Sequence, residues 1–208
     1  MALLIPDIVV VDVETTGMAP PGHRVIEIGA VRLRYTEERR RLSTLLNPGR
    51  YIPNRITSLT GIDGGMLRDA PLFEDIATVL WDFMDGAVFC AHNAGFDARF
   101  LRYEFSQWGA VPPALEEDTP SLCTMRLGRR LMPYLPNHKL DTLAGYMEID
   151  FSARHRALGD ALATAEIFRR FLVMIYRQGI KDLQEILKLQ QSRIPRNFKK
   201  PQGTSSVS

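Results

Sequence analysis

The stretch Ile8–Met18 reads IVVVDVETTGM and decides the fold of the chain. Its first residues are apolar and β-branched, which is typical of a strand that is buried on both faces in the middle of a sheet. Two acidic residues, Asp12 and Glu14, interrupt this apolar run. Because side chains alternate along a strand, these two carboxylates are expected to point to the same face near the C-terminal end of the strand.

Asp12 and Glu14 need a cationic partner, because burying an ionised carboxylate without one costs several kcal/mol. A divalent metal ion meets this need. The following residues, Thr15, Thr16 and Gly17, predict a turn whose backbone groups and hydroxyls can approach a ligand closely. Alternatively, the two acids cap the turn or pair with one of three arginines: Arg24, Arg32 or Arg34.

The composition is that of a globular protein. The chain has 208 residues, of which 45% are hydrophobic and 24% charged, and its formal net charge is only +2. Any contact with phosphates must therefore come from local clusters or metal ions rather than from the overall charge. No apolar run could span a bilayer and the first residues lack a secretory signal, so we expect a cytoplasmic protein with no membrane contact. Cys90 and Cys123 lack CxxC spacing and are expected to be buried and unpaired.

Two further strands are predicted beside the first. Val25–Arg34 and Leu42–Leu46 have strand composition, and the charged segment Thr36–Arg41 predicts the turn between them. Glu27 and the arginines from Arg32 to Arg41 are interpreted as solvated or salt-bridged residues. Asp12 and Glu14 are then the unusual acids of this sheet.

The remaining elements alternate between helices and a short strand. A short helical turn within Ile52–Ile62 ends at Gly61, and Asp69 is predicted to cap a core helix that ends before Gly86. Trp81 on that helix is expected to pack in the core. The other predicted elements are the strand Ala87–Ala91 and the helices Ala98–Trp108, Ser121–Leu131, Lys139–Met147 and Lys181–Gln191.

Two more acids lie where they can reach the first pair. Asp97 ends the segment HNAGFD after the strand Ala87–Ala91, at the sheet edge where ligands bind in open α/β folds. As an alternative, Asp97 is an ordinary acid at a helix N-terminus. Asp160 lies in a long helix among small residues that allow close approach to a sheet, and His155 precedes that helix. His155 beside a metal site suits proton transfer, whereas His138 is expected to be exposed.

Four carboxylates at one site would repel each other strongly unless divalent cations held them together. Oxygen ligands favour Mg²⁺ or Mn²⁺ over zinc. The sequence therefore predicts a centre with two divalent cations, Mg²⁺ or Mn²⁺, formed by residues that are far apart in the chain: Asp12, Glu14, Asp97 and Asp160.

At this point the sequence resembles the DEDDh-type 3′ to 5′ exonucleases of the ribonuclease H-like fold, a group that includes the proofreading epsilon subunit of bacterial DNA polymerase III. The resemblance runs from about Ile8 to Phe171. It is carried, in the family's order, by VVDVETTG, IEIGAV, ITSLTGI, AHNAGFDARFL, LPNHKLDTLA and HRALGDALAT. It implies an α/β fold in which helices flank a mixed central sheet.

The resemblance also implies roles for individual residues. Asp12, Glu14 and Asp160 would bind one metal ion, Asp12 would bridge to a second, and Asp97 would support the second mostly through water. His155 would be the general base that activates the attacking water. Two groups of residues match family positions that hold the terminal nucleotide: Thr15, Thr16, Gly17 and Met18 in the first group, and Asn93 and Phe96 in the second.

The expected activity is removal of nucleotides from a single-stranded or frayed 3′ end of DNA, because a mismatched end unpairs more cheaply than a matched one. Proofreading for a DNA polymerase subunit is a natural use of that activity. An RNA-trimming exonuclease of the same superfamily is the alternative within this chemistry. Two other classes are a phosphatase, since DVETT superficially resembles a DxDxT loop, and a non-catalytic module that binds nucleic acid or polymerase.

The chain is expected to divide into an exonuclease domain, residues 1–180, and a C-terminal segment, residues 181–208. The second part is predicted to be a helix followed by a basic tail that contains Arg193, Arg196, Lys199 and Lys200. The tail has no motif specific enough to name a partner.

Overall fold

A computed structural model describes residues 5–34, 37–150 and 154–194. Its centre is a five-stranded sheet with the strand order β3-β2-β1-β4-β5. The strands are β1 (Ile8–Thr15), β2 (Val25–Arg34), β3 (Glu37–Leu45), β4 (Val88–Ala91) and β5 (Leu122–Cys123). β1 pairs antiparallel with β2 and parallel with β4, β2 pairs antiparallel with β3, and β4 pairs parallel with β5. The mixed α/β sheet predicted from the sequence is confirmed.

Eight α-helices flank this sheet in the described part of the chain. They are α1 (Asn54–Thr60), α2 (Gly64–Leu67), α3 (Phe73–Met84), α4 (Ala94–Trp108), α5 (Thr124–Leu131), α6 (Leu140–Tyr146), α7 (Ala157–Arg177) and α8 (Leu183–Gln191). A 3₁₀ turn, Pro113–Leu115, follows α4.

β1 separates two hydrophobic layers. Val9, Val11 and Val13 face a core that also contains the buried residues of α3 and α4. Ile8 and Val10 face a second core, which contains the buried residues of α5, α6, α7 and α8. The alternation of side chains along a strand therefore places Asp12 and Glu14 on the side covered by α7.

Several predicted boundaries were wrong. β3 begins at Glu37 rather than Leu42, so most of the charged segment Thr36–Arg41 is strand; Thr36 itself lies outside the described residues. An edge strand with one open side tolerates this run of charged side chains. The segment Ser121–Leu131 is not one helix, because its first part forms the short strand β5.

Other corrections concern helix starts. α4 begins at Ala94, four residues earlier than predicted, which places Asp97 inside its first turn. α3 is not capped by Asp69; the Asp75 carboxylate accepts a hydrogen bond from the backbone N–H of Leu72 at 2.8 Å instead. The predicted stop of α1 is confirmed, since Gly61 adopts the left-handed conformation at φ 73°.

The predictions that both cysteines are buried and unpaired and that Trp81 packs in the core are confirmed. Cys90 and Cys123 are buried free thiols. Trp81 packs at 6.2 Å between ring centroids against Phe105, and at 6.1 Å against Trp108. Within residues 5–34, 37–150 and 154–194, no helix has both the length and the apolar character needed to cross a bilayer.

Candidate active site

The site is built first on β1. Asp12 lies opposite Gly29 of β2, and Glu14 lies opposite Glu27. Both acids are partly buried, while the neighbouring residues Val11 and Val13 are buried in the opposite core. The alternation of side chains along β1 therefore places two carboxylates on the face that α7 covers.

The start of α7 brings two more groups to that face. Asp160 lies in its first turn, and His155 precedes it in a left-handed conformation at φ 58°. A Cβ atom on Gly29 would lie 2.2 Å from the backbone of Ala157, so only glycine at position 29 allows α7 to approach β2 this closely. Glu14, His155 and Asp160 can each offer one ligand atom, and these atoms all lie within 4.8 Å of one another.

The fourth acid, Asp97, reaches the end of β1 from α4. It is 4% exposed, and its Oδ1 accepts a hydrogen bond from the backbone N–H of Val13 at 3.2 Å. This bond joins the first turn of α4 to the strand that carries Asp12 and Glu14. Asp97 lies in the first turn of α4, but it is buried and contacts β1 next to the two acids of that strand rather than facing solvent.

The pKa values show that the four acids share one electrostatic environment. Burial, and then the charges of Asp97 and Asp160, raise the pKa of Asp12 well above its ordinary value. Burial, and then the negative charge of Asp160, raise the pKa of Glu14 to about 7. Burial also raises the pKa of Asp97 to about 8 and that of Asp160 to about 6, although the His155 backbone donates a hydrogen bond that opposes the second shift. These carboxylates cannot all be ionised at neutral pH without a cation among them.

The residues present fit a divalent cation. The Oδ1 atom of Asp160 is buried and has no hydrogen-bond partner among the described residues, and one oxygen of this carboxylate lies within 4.8 Å of ligand atoms of Glu14 and His155. Carboxylate oxygens are the ligands that Mg²⁺ and Mn²⁺ prefer. Asp12 lies outside the group of three in which all ligand atoms are within 4.8 Å, and it is linked to that group electrostatically.

The arginines that could have neutralised Asp12 and Glu14 bind other acids. Arg24 forms a bidentate pair with Glu104, in which its Nε donates at 2.8 Å. Two further arginines share one carboxylate, that of Asp7, each at 3.0 Å: Arg32 and Arg34. The alternative interpretation of Asp12 and Glu14 as ordinary salt-bridge residues of these arginines is therefore wrong.

Glu27 is a buried acid whose contacts with the start of α7 the sequence interpretation missed. Its carboxylate accepts hydrogen bonds from the Arg156 guanidinium, at 2.7 Å from Nη2, and from the backbone N–H of Ala157 at 2.9 Å. The sequence predicted that Glu27 is either solvated or in a salt bridge. The salt bridge to Arg156 is present, and because Glu27 is only 2% exposed it does not lie on a solvated face. It fixes the start of α7 against β2 and thereby positions His155 and Asp160. The available signal was its place within the apolar run VIEIGAV.

The turn after β1 is shaped by its own hydroxyl groups. Thr15 Oγ1 donates to the Gly17 carbonyl at 2.6 Å, and Thr16 Oγ1 accepts from the Arg24 backbone N–H at 3.0 Å. The His23 ring lies against Gly17, where a Cβ atom would be 2.3 Å from it. The threonines therefore hold the turn in place, and Gly17 leaves room for His23, which the sequence analysis did not single out.

The other predicted substrate-binding residues differ in exposure. Met18 is 66% exposed, and its carbonyl accepts a hydrogen bond from Arg99 at 3.0 Å. Asn93 is exposed and adopts the left-handed conformation at φ 73°. Phe96 is partly buried, with its ring centroid 5.0 Å from that of Phe100. Met18 and Asn93 are accessible to a ligand, whereas part of Phe96 belongs to the core.

Two histidines near the site are structural. His138 was expected to be exposed but is partly buried, and its Nε2 lies 3.0 Å from the carbonyl oxygen of Met132. His92 Nδ1 lies 2.9 Å from Thr124 Oγ1, and burial lowers the pKa of His92 to about 4. His92 therefore joins the end of β4 to the start of α5 as a neutral ring.

Comparisons with known proteins identify the family of this chain. Residues 9–168 match the family model RNase_T, described as exonuclease. The chain is 41% identical over 180 residues to a DNA polymerase III PolC-type of Caldanaerobacter subterraneus subsp. tengcongensis, and 35% identical over 184 residues to the 3′-5′ exonuclease DinG of Bacillus subtilis. These alignments cover 86% and 88% of the chain but only 12% and 19% of the two relatives, so the chain spans a small part of their length.

The fold is shared with solved nucleases. E. coli exonuclease I in complex with a dT13 oligonucleotide superposes with a TM-score of 0.72 at 19% identity, covering 83% of this chain and 42% of that one. The family match covers more than half of the chain and includes the strand, turn and helix that carry the acids. The chain belongs to the exonuclease family.

Proposed function

We propose that this chain removes nucleotides one at a time from the 3′ end of DNA by hydrolysis of the terminal phosphodiester bond. The observation that carries the proposal is a group of four acids whose pKa values are raised chiefly by burial. Two of them, Glu14 and Asp160, lie beside His155, and the Oδ1 atom of Asp160 has no hydrogen-bond partner among the described residues. The family membership supports the reaction class, and the DinG relative, a 3′-5′ exonuclease, supports the 3′-5′ direction.

The metal-binding roles belong to the four carboxylates. Asp12, Glu14 and Asp160 would hold one Mg²⁺ or Mn²⁺ ion, with Asp12 shared with a second ion that Asp97 supports. Two bound cations would stabilise the negative charge that develops on the attacking and leaving oxygens of an in-line displacement.

The remaining roles belong to His155 and to the turn after β1. His155 accepts the proton of the attacking water, which requires that its imidazole be neutral when the water attacks. The terminal nucleotide lies between the turn after β1 and the start of α4, where Met18 packs against its base and Phe96 against its sugar. The residues that hold it are Thr15, Thr16, Gly17, Met18, Asn93 and Phe96.

The proposed biological use is proofreading for a DNA polymerase. The PolC-type relatives support a polymerase context for this chain. A pocket that accepts an unpaired 3′ end favours mismatched termini, because unpairing them costs less free energy.

The proposal is tested with DNA and RNA oligonucleotides of matched sequence that carry a label at the 5′ end. Each is offered as a single strand, as a matched primer end, as a mismatched primer end and with a blocked 3′ end, with Mg²⁺, Mn²⁺ or EDTA. We expect a metal-dependent ladder that shortens from the 3′ end of DNA, fastest for single-stranded and mismatched ends. Faster degradation of RNA would favour the RNA-trimming alternative. Absence of any metal-dependent shortening would contradict the proposal.

A further inference from the structure

We propose that a basic cleft beside the active site binds the phosphates of the DNA strand within about three nucleotides of its 3′ end. The cleft lies between the start of α4, the exposed face of α5 and the end of α8. This inference rests on the proposed function, because it assigns a path to the strand whose terminal nucleotide lies at Asp12 and Glu14.

The position of the cleft follows from the sheet. β1, β4 and β5 are parallel, so their C-terminal ends lie at one edge. β1 ends at the acids, β4 leads into Asn93, and β5 leads directly into α5. Adjacent strands are separated by about 4.8 Å, and Val10, Cys90 and Leu122 are level across the sheet, so Leu122 is roughly 10 Å from Val10, two residues before Asp12. A strand held at the active site reaches α5 by passing the start of α4.

The cleft offers cations without competing acids. Its volume is about 310 Å³, and no aspartate or glutamate lines it. The lining residues used in the argument below are Asn93, Gly95, Met125, Arg126, Arg129 and Gln190. Arg126 and Arg129 are exposed, and neither forms a salt bridge with an acid in the described parts of the chain. Arg129 donates a long hydrogen bond from Nη2 to the Met125 sulfur at 3.7 Å.

The same two arginines act on a neighbouring cation. Burial, and then the charges of Arg126 and Arg129, lower the pKa of Arg130. Positive charge is therefore concentrated on this face of α5, where the phosphates of a nucleic acid would relieve the repulsion.

The helix α4 adds a second attraction for phosphate. It has 15 residues, its first turn lines the cleft through Ala94 and Gly95, and no side chain caps its N-terminus. A Cβ atom on Gly95 would meet nothing within 4 Å, so space is open in front of this turn. Unsatisfied backbone N–H groups at a helix N-terminus attract phosphate oxygens.

The floor of the cleft is rigid. Gln190 of α8 is 2% exposed; its side-chain oxygen accepts from the backbone N–H of Cys123 at 2.6 Å, and its nitrogen donates to the Ser121 carbonyl at 3.0 Å. These bonds fix α8 to β5. The two arginines therefore project from a fixed surface, which reduces the entropy that is lost when they bind phosphate.

The test compares two double variants that remove the same charge. Arg126→Gln with Arg129→Gln alters the cleft, whereas Arg55→Gln with Arg68→Gln removes two exposed arginines from the region of α1 and α2. Kinetics are measured on a dT8 oligonucleotide and on the p-nitrophenyl ester of thymidine 5′-monophosphate, which is too short to reach α5. For the cleft variant we expect the KM for dT8 to rise about tenfold, with kcat within twofold of the unaltered protein and unchanged kinetics on the ester.

Direct binding gives a readout that does not depend on cleavage. Fluorescence anisotropy of labelled dT8 is measured against salt concentration, in an Asp12→Asn background that prevents degradation. Removing two phosphate contacts should reduce the slope of log Kd against log salt concentration by about 1.4, since each contact with single-stranded DNA contributes roughly 0.7. The Arg55 and Arg68 variant should keep the original slope.

The outcomes separate the two proposals. If the unaltered protein degrades dT8 and both double variants keep its KM and its salt slope, the cleft does not bind the strand and the nuclease proposal stands. If neither dT8 nor the ester is cleaved, the nuclease proposal fails, and an unchanged salt slope in the cleft variant would reject the cleft as well. Equal losses in both double variants would show a general charge effect and overturn the inference.

Discussion

The Oδ1 atom of Asp160 shows at the scale of one residue why the acids of this site require a cation. A buried oxygen without a hydrogen-bond partner costs about 1–3 kcal/mol, and here it also faces other carboxylates. Arg24, Arg32 and Arg34 do not remove either cost, because they bind Glu104 and Asp7. The free energy of the metal-free protein must therefore depend on how many of these acids carry protons.

The first prediction concerns the stability of the metal-free protein against pH. Folding raises the pKa of Glu14 to about 7 and that of Asp97 to about 8, above their values in the unfolded chain, so the folded state binds protons more tightly. The stabilisation is fully present below the unfolded pKa values, near pH 4, and is lost as the pH rises through 7 and 8. We expect the free energy of unfolding, measured with urea in EDTA, to fall between about pH 5 and pH 8.

Metal ions provide the control for this measurement. With millimolar Mn²⁺ the acids gain stability from their ionised form, so the fall between pH 5 and pH 8 should disappear or reverse. An identical pH dependence with EDTA and with Mn²⁺ would show that these acids hold no cation.

The second prediction concerns Asp12→Asn. At alkaline pH, where Asp12 is ionised, removing its charge should increase the free energy of unfolding in EDTA by about 1 kcal/mol, because repulsion from Asp97 and Asp160 is relieved. The same change should lower exonuclease activity by about a thousandfold, since the substitution removes an oxygen ligand. Thermal unfolding and a gel assay on one preparation measure both effects.

Asp7→Asn is the matched control for Asp12→Asn. Asp7 binds Arg32 and Arg34, so the same loss of charge should destabilise the protein while leaving activity near that of the unaltered chain. A stability loss in Asp12→Asn like that in Asp7→Asn would mean that Asp12 is paired in solution rather than repelled.

At the scale of elements, the reaction geometry depends on the contact between β2 and the start of α7. Glu27 accepts hydrogen bonds from Arg156 and from the Ala157 N–H, and Gly29 leaves space for the helix backbone. His155 and Asp160 lie on either side of this contact in sequence. A small displacement of α7 would therefore move both groups relative to Glu14.

The third prediction is that Glu27→Gln lowers kcat by about tenfold or more and KM by little, because misplacing His155 affects the chemical step more than binding. Losing a charged hydrogen bond in the core should also lower the free energy of unfolding by about 2 kcal/mol. Glu104→Gln is the control, since Glu104 is equally buried and accepts from Arg24 and from the Val25 N–H. If Glu104→Gln loses as much stability as Glu27→Gln but keeps its kcat, the fall in kcat of Glu27→Gln is caused by displacement of α7 and not by lower stability. Equal kcat losses in the two variants would contradict a role for Glu27 in positioning α7.

The sequence predicted the elements that carry the acids better than the contacts that hold those elements together. The apolar run before Asp12 and the small residues around Asp160 indicate a buried strand and a closely packed helix from local pattern alone. Glu27 could not be assigned in this way, because its partner is Arg156, 129 positions away. β5 is only two residues long, too short to show a periodicity, and the charged residues of β3 lie on an exposed edge.

At the scale of the whole molecule, the sheet order determines which distant segments meet. β1, β4 and β5 end at one edge, so the acids, Asn93 and the arginines of α5 lie side by side although they come from three separate parts of the chain. The α/β class could be predicted from the alternation of strand and helix patterns. The pairing of β4 with β5, and the packing of α8 on that pair, could not, because no local pattern records which buried surfaces meet.

The last prediction concerns where the folded body ends. The sequence predicts an exonuclease domain that stops at residue 180, yet α8 buries Ile186 and Leu187 and bonds β5 through Gln190. Removing α8 would expose two apolar side chains, worth about 1.5–3 kcal/mol each, and would leave backbone groups of β5 without partners. A chain of residues 1–179 should therefore be about 5 kcal/mol less stable to unfolding than a chain of residues 1–194, which is a large part of the total for a domain. The predicted basic tail beyond residue 194 lies outside the described residues. Urea unfolding of the two chains measures this. Equal stability of the 1–179 and 1–194 chains would show that α8 lies outside the cooperative unit and that the body ends at residue 180.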